Sequence, residues 1–453
     1  LAERFTVQSK LSVFSKAKKI CLSLISVSIY NYMSAIKCNA GLPNTNGEKQ
    51  MDFDVIKSLL NGTNDGKIVL LVMDGLGGLP MEEGGKTELE AAVTPNLDAL
   101  AQKSMLGLQE GIRPGITPGS GPAHLSLFGY DPLKYKVGRG VLSALGVDFD
   151  LQKKDVAARG NFCTVDEDGR VTDRRAGRIP TEITERLCKL LCDKVDIPGV
   201  EVFLEPVKEY RFLLVLRGEG LSANIEETDP QVVGEKPLLA KALDKDSEKA
   251  AEIVQEFVRQ AKEILADESP ANMLLLRGLA QLPDWPMFPD VFGLDPIAIA
   301  MYPMYRGVAK LVGMDSPSAS VSYEAEIDLL EEKWDDYDFF FVHIKKTDSY
   351  GEDGSFEKKV HEIEKVDALL PRILALDPSV LIITGDHSTP CAMKYHSWHP
   401  VPVLFYGKTC RPDGIAEFGE RACRQGGLGV RFPAYDLMAL ALAHAGRLEK
   451  FGA

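Results

Sequence analysis

The chain has 453 residues, 45% apolar and 26% charged, with 52 Lys and Arg against 66 Asp and Glu; at about 100–200 residues per domain, this length holds two or three domains and an ample core. Average use of glycine and proline excludes collagen-like and low-complexity chains. A net charge of −14 argues against a nucleic-acid-binding surface but leaves room for a local basic pocket that holds an anion, and eight cysteines over this length make neither a disulfide scaffold nor a zinc pattern.

Residues 1–50 read differently from the rest. Seven Lys and Arg against two acids give this segment +5 and leave −19 on residues 51–453. KAKK (16–19) precedes an apolar, serine-broken run at 20–36, the shape of a secretory or organellar leader, and the run is short for a membrane span. The segment is expected to be a leader or a non-native N-terminal extension ahead of Met51, with no membrane association for the 51–453 core.

From Met51 the chain reads as α/β. KIVLLVMDGLGG (67–78) is a buried strand that sets Asp74 at its carboxyl end, where open α/β sheets bind ligands. TPNLDALAQKS (94–104) follows as a helix with Thr94 as cap and Pro95 at its first position. Short strand candidates VAARGNFCTV (156–165), YRFLLVLRG (210–218) and NMLLLRG (272–278) alternate with helices at 180–195 and 245–269. DDYDFFFVHI (335–344), SVLIITGDHS (379–388) and VPVLFYG (401–407) are further strands, and 355–374 has the spacing of an amphipathic helix. The fold class is therefore α/β: a mostly parallel sheet sandwiched by helices, formed by 51–135 and 296–453, with a smaller α/β domain inserted at 136–295.

Asp74, Ser120, Asp348, Glu352, Asp386, His387 and His396 form a set of carboxylates, imidazoles and one hydroxyl suited to divalent Mn, Mg or Zn, and large enough for two ions, the usual device for phosphoryl displacement. One acid at a strand end is ordinarily a cap or turn residue; several such segments converging on one sheet edge make a site. Ser120, between Gly119 and Gly121 at a helix start, is placed as a nucleophile beside an anion site. His124, four residues on, either faces the same pocket or is a buried histidine satisfied by backbone. GLGG (75–78) lacks dinucleotide-binding spacing. His343 reads as core and His361 as solvent-facing.

The segments VLLVMDGLGGLP, PGSGPAHLSLFGYDP, VDEDGRVTDRRAGRI, HIKKTDSYGEDGSFEKKVHEIEKVD and TGDHSTPCAMKYHSWHPVPVLF resemble, in order and over about 51–453, the archaeal-type 2,3-bisphosphoglycerate-independent phosphoglycerate mutases of the alkaline phosphatase superfamily. The resemblance implies interconversion of 3-phosphoglycerate and 2-phosphoglycerate with two divalent ions, Ser120 being the phosphorylated nucleophile. Asp74, Ser120, Asp386 and His387 would hold one ion; Asp348, His396 and the residue four after Asp348 would hold the other. Many relatives have His at that position; this chain has Glu352, a competent oxygen ligand, with Asp353 beside it. A substrate with about three negative charges calls for arginine clamps: Arg159, Arg174, Arg175, Arg178 and Arg277 are the candidates, ahead of Arg139, Arg306 and Lys310. DRRAGR (173–178) is unusually dense in arginine for an acidic chain, and a solvated basic turn is its lesser alternative. The competing reading is a metal-dependent phosphatase or phosphonate hydrolase on the same scaffold. An insert that closes over glycerate and excludes water favours the mutase. No nucleic-acid partner is expected, the oligomeric state is open, and the location is cytoplasmic, or an organelle if 1–50 is a transit peptide.

Overall fold

The computed structural model describes residues 52–452 apart from 63–64 and 318–320, so the expectations for 1–50 lie outside the described residues. In chain order the strands are β1 (Ile68–Met73), β2 (Met105–Glu110), β3 (Val156–Val165), β4 (Val171–Asp173), β5 (Glu201–Lys208), β6 (Arg211–Arg217), β7 (Met273–Ala280), β8 (Pro296–Ala300), β9 (Phe339–Ile344), β10 (Val380–Thr384), β11 (Val401–Gly407) and β12 (Gly429–Pro433).

The uninterrupted apolar runs make strands buried on both faces: every residue of β1, β8, β9 and β10 is buried. Alternation sends Ile68, Leu70 and Val72 of β1 into one core and Val69, Leu71 and Met73 into another on the opposite face. Each fully buried side chain of this size contributes about 1.5–3 kcal/mol. The sheet runs β12-β2-β11-β10-β1-β9-β8. β10, β1, β9 and β8 are mutually parallel, and β11 alone is antiparallel to both its neighbours. The carboxyl ends of β10, β1 and β9 therefore lie side by side on one edge.

A second, five-stranded sheet is wholly antiparallel, with β3 flanked by β6 on one edge and by β7 and β4 on the other. Val156, Ala158 and Phe162 face a core closed by Leu187 and Leu191 of the helix Thr181–Lys194 and by Val254 and Phe257 of the helix Glu248–Ile264. Ala157, Leu213 and Val215 on the other face join the first sheet's core, together with Val141 and Leu142 of the helix Arg139–Gly146. Glycine permits this close contact: a Cβ on Gly140 would lie 2.1 Å from the Ala157 carbonyl oxygen, and one on Gly146 2.3 Å from that of Pro303. Among the described residues no helix is long and apolar enough to cross a membrane.

One expected local feature differs. The helix Pro95–Ala101 has Pro95 in its first turn, but Thr94 makes no side-chain cap. Instead the buried carboxylate of Asp367, on the helix Phe356–Ala375, accepts from the Leu97 N–H at 2.7 Å and the Asn96 N–H at 3.4 Å. A distant acid thus satisfies the helix start that the sequence assigns to its neighbour. Asp367→Ala is expected to cost about 1–2 kcal/mol, read as a lower denaturant midpoint at unchanged slope.

Candidate active site and metal centre

Asp74 follows β1 directly, Asp348 lies in the first turn of the helix Lys346–Asp353 after β9, and Asp386 and His387 follow β10. Ser120 opens the helix Ser120–Leu127, with Gly119 as its N-cap. The orphan N–H groups of that first turn face an anion naturally. His396 arrives from the loop after β10, its ring stacked on His387 at 3.7 Å. Ligating atoms of Asp74, Asp386 and His387 lie within 4.8 Å of one another, as do those of Asp348, His387 and His396. Ser120 Oγ is 3.2 Å from His387 Nε2.

The hydrogen bonds fix the histidine's tautomer. Thr389 Oγ1 donates to Asp348 Oδ1 at 2.7 Å, so it accepts from His387 Nδ1–H at 3.0 Å. His387 Nε2 is left as a lone pair, 3.5 Å from Asp74 Oδ1 and 3.1 Å from Asp386 Oδ2. Both of those carboxylate oxygens are buried with no hydrogen-bond donor. Three buried acceptors converging on one point, with a serine hydroxyl beside them, fit a divalent cation.

Electrostatics agree. Burial alone would raise Asp74, but the Lys345 ammonium, 2.9 Å from its Oδ2, holds it well below the usual carboxylate range. Burial and the neighbouring Asp74 charge push Asp386 well above that range. Burial, then His396, keeps His387 neutral, the form that ligates metal. A cation held there would favour the charged form of Asp386 over the protonated one. Mn2+ affinity of the stripped protein should therefore rise with pH above the ordinary carboxylate value, about tenfold per unit while one proton is released, as calorimetry in buffers of different ionisation enthalpy would show.

Several residues of this centre have no counterpart among the sequence candidates. Lys345 bridges the two groups, with Nζ 2.9 Å from Asp74 and 2.5 Å from Asp348. Burial works against its charge, yet Asp74, Tyr305 and Asp348 hold it well above the ordinary lysine range. The Tyr305 hydroxyl donates to Asp74 Oδ2. His343 is buried as expected of a core residue, but it stacks on Tyr305 at 3.6 Å and sits 3.4 Å from Asp74. His124, which the sequence left between a pocket residue and a buried histidine satisfied by backbone, is fully buried: its Nδ1 donates to the Ser120 carbonyl at 2.8 Å, and burial, then His343, lowers its pKa to about 3. It braces the serine's helix.

The arginines divide. Arg159 and Arg277 are register partners across β3 and β7. Arg159 has its Nε buried without a partner, and its pKa is lowered to about 9 by burial and by Arg139, Arg211 and Arg277. Arg211, absent from the sequence candidates, donates to the Tyr302 hydroxyl at 3.0 Å, and Tyr302 packs on Tyr305. Two aromatic rings thus connect the cationic cluster to Asp74. Arg174 is instead held by a bidentate pair with buried Asp229, at 3.0 and 2.6 Å. Arg175 and Arg178 are exposed, as a solvated turn would have them. Arg306 and Lys310 pair with Asp148.

Residues 101–272 match the family model described as 2,3-bisphosphoglycerate-independent phosphoglycerate mutase. A protein of Thermotoga neapolitana named as a probable 2,3-bisphosphoglycerate-independent phosphoglycerate mutase is 53% identical over 404 residues, covering 89% of this chain and 100% of that one. The chain belongs to this mutase family. A probable mutase of the same name from Thermus thermophilus is 52% identical over 405 residues, covering 88% and 99%. Among solved structures, the PH0037 protein of Pyrococcus horikoshii superimposes with a TM-score of 0.73 at 33% identity, over 86% of this chain and 99% of that one. The cofactor-independent phosphoglycerate mutase of Thermoplasma acidophilum gives 0.63 at 29%, over 84% and 100%.

In this mutase-family chain the position of Glu352 stands at the rim of the centre. Its side chain is 56% exposed and its Oε1 lies 3.8 Å from His396 Nε2. Burial, then the Asp348 charge, raises its pKa. The second group of close ligand atoms is Asp348, His396 and the shared His387, with Glu352 outside it. Asp353 is exposed.

Proposed function

We propose that this chain interconverts 3-phosphoglycerate and 2-phosphoglycerate without added 2,3-bisphosphoglycerate, through a phosphoserine at Ser120. The observation that carries the reading is Ser120 Oγ at a helix start, 3.2 Å from His387 Nε2 and beside two donor-free buried carboxylate oxygens, in a chain of this family. Asp74, Ser120, Asp386 and His387 hold one divalent cation; Asp348 and His396, with Glu352 at the rim, hold the other, and the oxygen-rich donors favour Mn or Mg. Cations bound there supply Lewis acidity toward the phosphoryl oxygens and lower the pKa of a nearby hydroxyl.

Ser120 Oγ forms a bond to phosphorus as the bond to the glycerate O3 breaks, and the proton that the Ser120 hydroxyl gives up ends on the freed O3 alkoxide. Lys345 and the helix N–H groups face the charge on the phosphoryl oxygens. Residues 136–295 act as the substrate domain, in which Arg159, with Arg139, Arg211 and Arg277, retains the glycerate carboxylate while it reorients. The O2 oxygen then bonds to phosphorus as the bond to Ser120 Oγ breaks, and the O2 hydroxyl proton ends on Ser120 Oγ, which restores the serine. All six cysteines among the described residues are unpaired, which suits a reducing, cytoplasmic setting.

The test is formation of 2-phosphoglycerate by the full chain with Mn2+ or Mg2+, coupled to enolase with no bisphosphoglycerate present. Steady turnover is expected. Background turnover accompanied by ready phosphate release from simple esters would replace this reading with a phosphatase.

A further inference from the structure

Lys359 is fully buried in the first turns of the helix Phe356–Ala375. Its ammonium donates to the carbonyl oxygens of Gly75 at 2.9 Å, Gly77 at 3.2 Å and Thr389 at 2.9 Å, and lies 3.9 Å from the buried carboxylate of Glu88. Three carbonyls and a carboxylate around one buried positive charge are the surroundings of a bound monovalent cation, here supplied by the chain itself.

The carbonyls it gathers belong to the two loops that carry the metal-centre residues. Gly75 follows Asp74, and its N–H donates to Asp386 Oδ1 at 3.0 Å. Thr389 follows His387 by two residues, and its hydroxyl joins Asp348 to His387. The Thr389 N–H reaches the same Gly75 and Gly77 carbonyls at 3.3 and 3.0 Å. The loops meet without space to spare: a Cβ on Gly75 would fall 2.5 Å from Thr389 Oγ1, and one on Gly77 1.9 Å from Ser388 Oγ.

We propose that Lys359 is a positioning residue: a built-in cation that clamps the loop after β1 to the loop after β10 and so sets Asp74, Asp386, His387 and Asp348 at cation-binding separations. The inference rests on the two-cation mutase reading. It assigns Lys359 no contact with substrate. Its consequence lies in cation affinity, because loosening the partners that orient metal ligands commonly costs 10–100-fold in binding.

The test is Mn2+ titration of the EDTA-stripped full chain, with free Mn2+ read by its EPR signal, on the parent, Lys359→Met and Lys359→Gln. Gln keeps polar donors at the site and guards against loss of folding. Lys67→Met is the control. Lys67 likewise donates to two carbonyls, those of Trp334 at 2.6 Å and Tyr337 at 2.7 Å, at the far end of β1. Both Lys359 variants should bind Mn2+ at least tenfold more weakly and recover most of kcat at saturating Mn2+. Lys67→Met should lower Tm yet keep Mn2+ affinity within twofold. A folded Lys359→Gln with parent-like affinity overturns the clamp, and so does an equal loss in Lys67→Met. The Mn2+ readout is independent of turnover. Weakened Mn2+ binding in an enzyme that converts no phosphoglycerate supports the clamp and removes the mutase reading, whereas unaltered binding beside normal turnover removes the clamp alone.

Discussion

Ser120→Ala should lower phosphoglycerate interconversion by about 10³-fold or more, a loss of roughly 4 kcal/mol or more in transition-state stabilisation, with the fold intact. The separation of the two effects follows from the position of the hydroxyl. Ser120 is the first residue of its helix, and Gly119, its N-cap, makes no side-chain bond. The Ser120 hydroxyl contacts His387 Nε2, while the helix start is braced through the Ser120 backbone carbonyl by His124. Alanine keeps that carbonyl and favours the helix, so stability should change by less than about 0.5 kcal/mol. Two measurements check this together: the enolase-coupled rate, and the mass of the protein quenched during turnover, where a phosphoserine adduct should be present in the parent and absent in the variant. A variant that keeps a tenth of the parental rate would remove Ser120 from the chemistry.

The candidate metal centre was legible in sequence because its residues sit where strand periodicity stops. An apolar run followed at once by an acid, as at Met73–Asp74, or shortly by Asp386–His387, marks a strand end, and parallel strands bring such ends together. What lies one layer back carries no such mark. Lys345 is one of two adjacent lysines, and only the turn into the helix Lys346–Asp353 directs one of them between Asp74 and Asp348. Lys359 looks like any charged residue of an amphipathic helix until three carbonyls from two distant loops surround it. β5 was missed for a related reason: Glu201, Glu205 and Lys208 break its apolar pattern, and only Leu204 is fully buried. The densest arginine cluster in sequence misled because density says nothing about partners. Arg174 is neutralised by Asp229 from 55 residues away, whereas Arg139, Arg211 and Arg277, scattered along the chain, lie close enough to Arg159 to lower its pKa.

Arg159 gives the second large effect, and one of opposite sign in two measurements. Its pKa is lowered to about 9, first by burial and then by Arg139, Arg211 and Arg277, so the empty fold is penalised for keeping it charged. Its buried Nε has no acceptor within the protein. Such a group is costly to the fold and valuable to an anion, because a bound carboxylate would supply both the missing acceptor and the missing countercharge. Arg159→Met should therefore raise Tm in the absence of substrate while lowering kcat/KM for 3-phosphoglycerate about 10²-fold, the roughly 3 kcal/mol of a charge-assisted bidentate contact. At neutral pH the sign is secure: a group whose folded-state pKa lies below its unfolded value destabilises the fold wherever it is protonated in the unfolded chain. Arg175→Ala and Arg178→Ala, at exposed positions of the 173–178 turn, should leave both quantities within about twofold and 1 °C of the parent. A structural arginine would lose Tm and activity together, and a solvated one would lose neither. Only a residue held unpaired for its substrate gains stability as it loses catalysis.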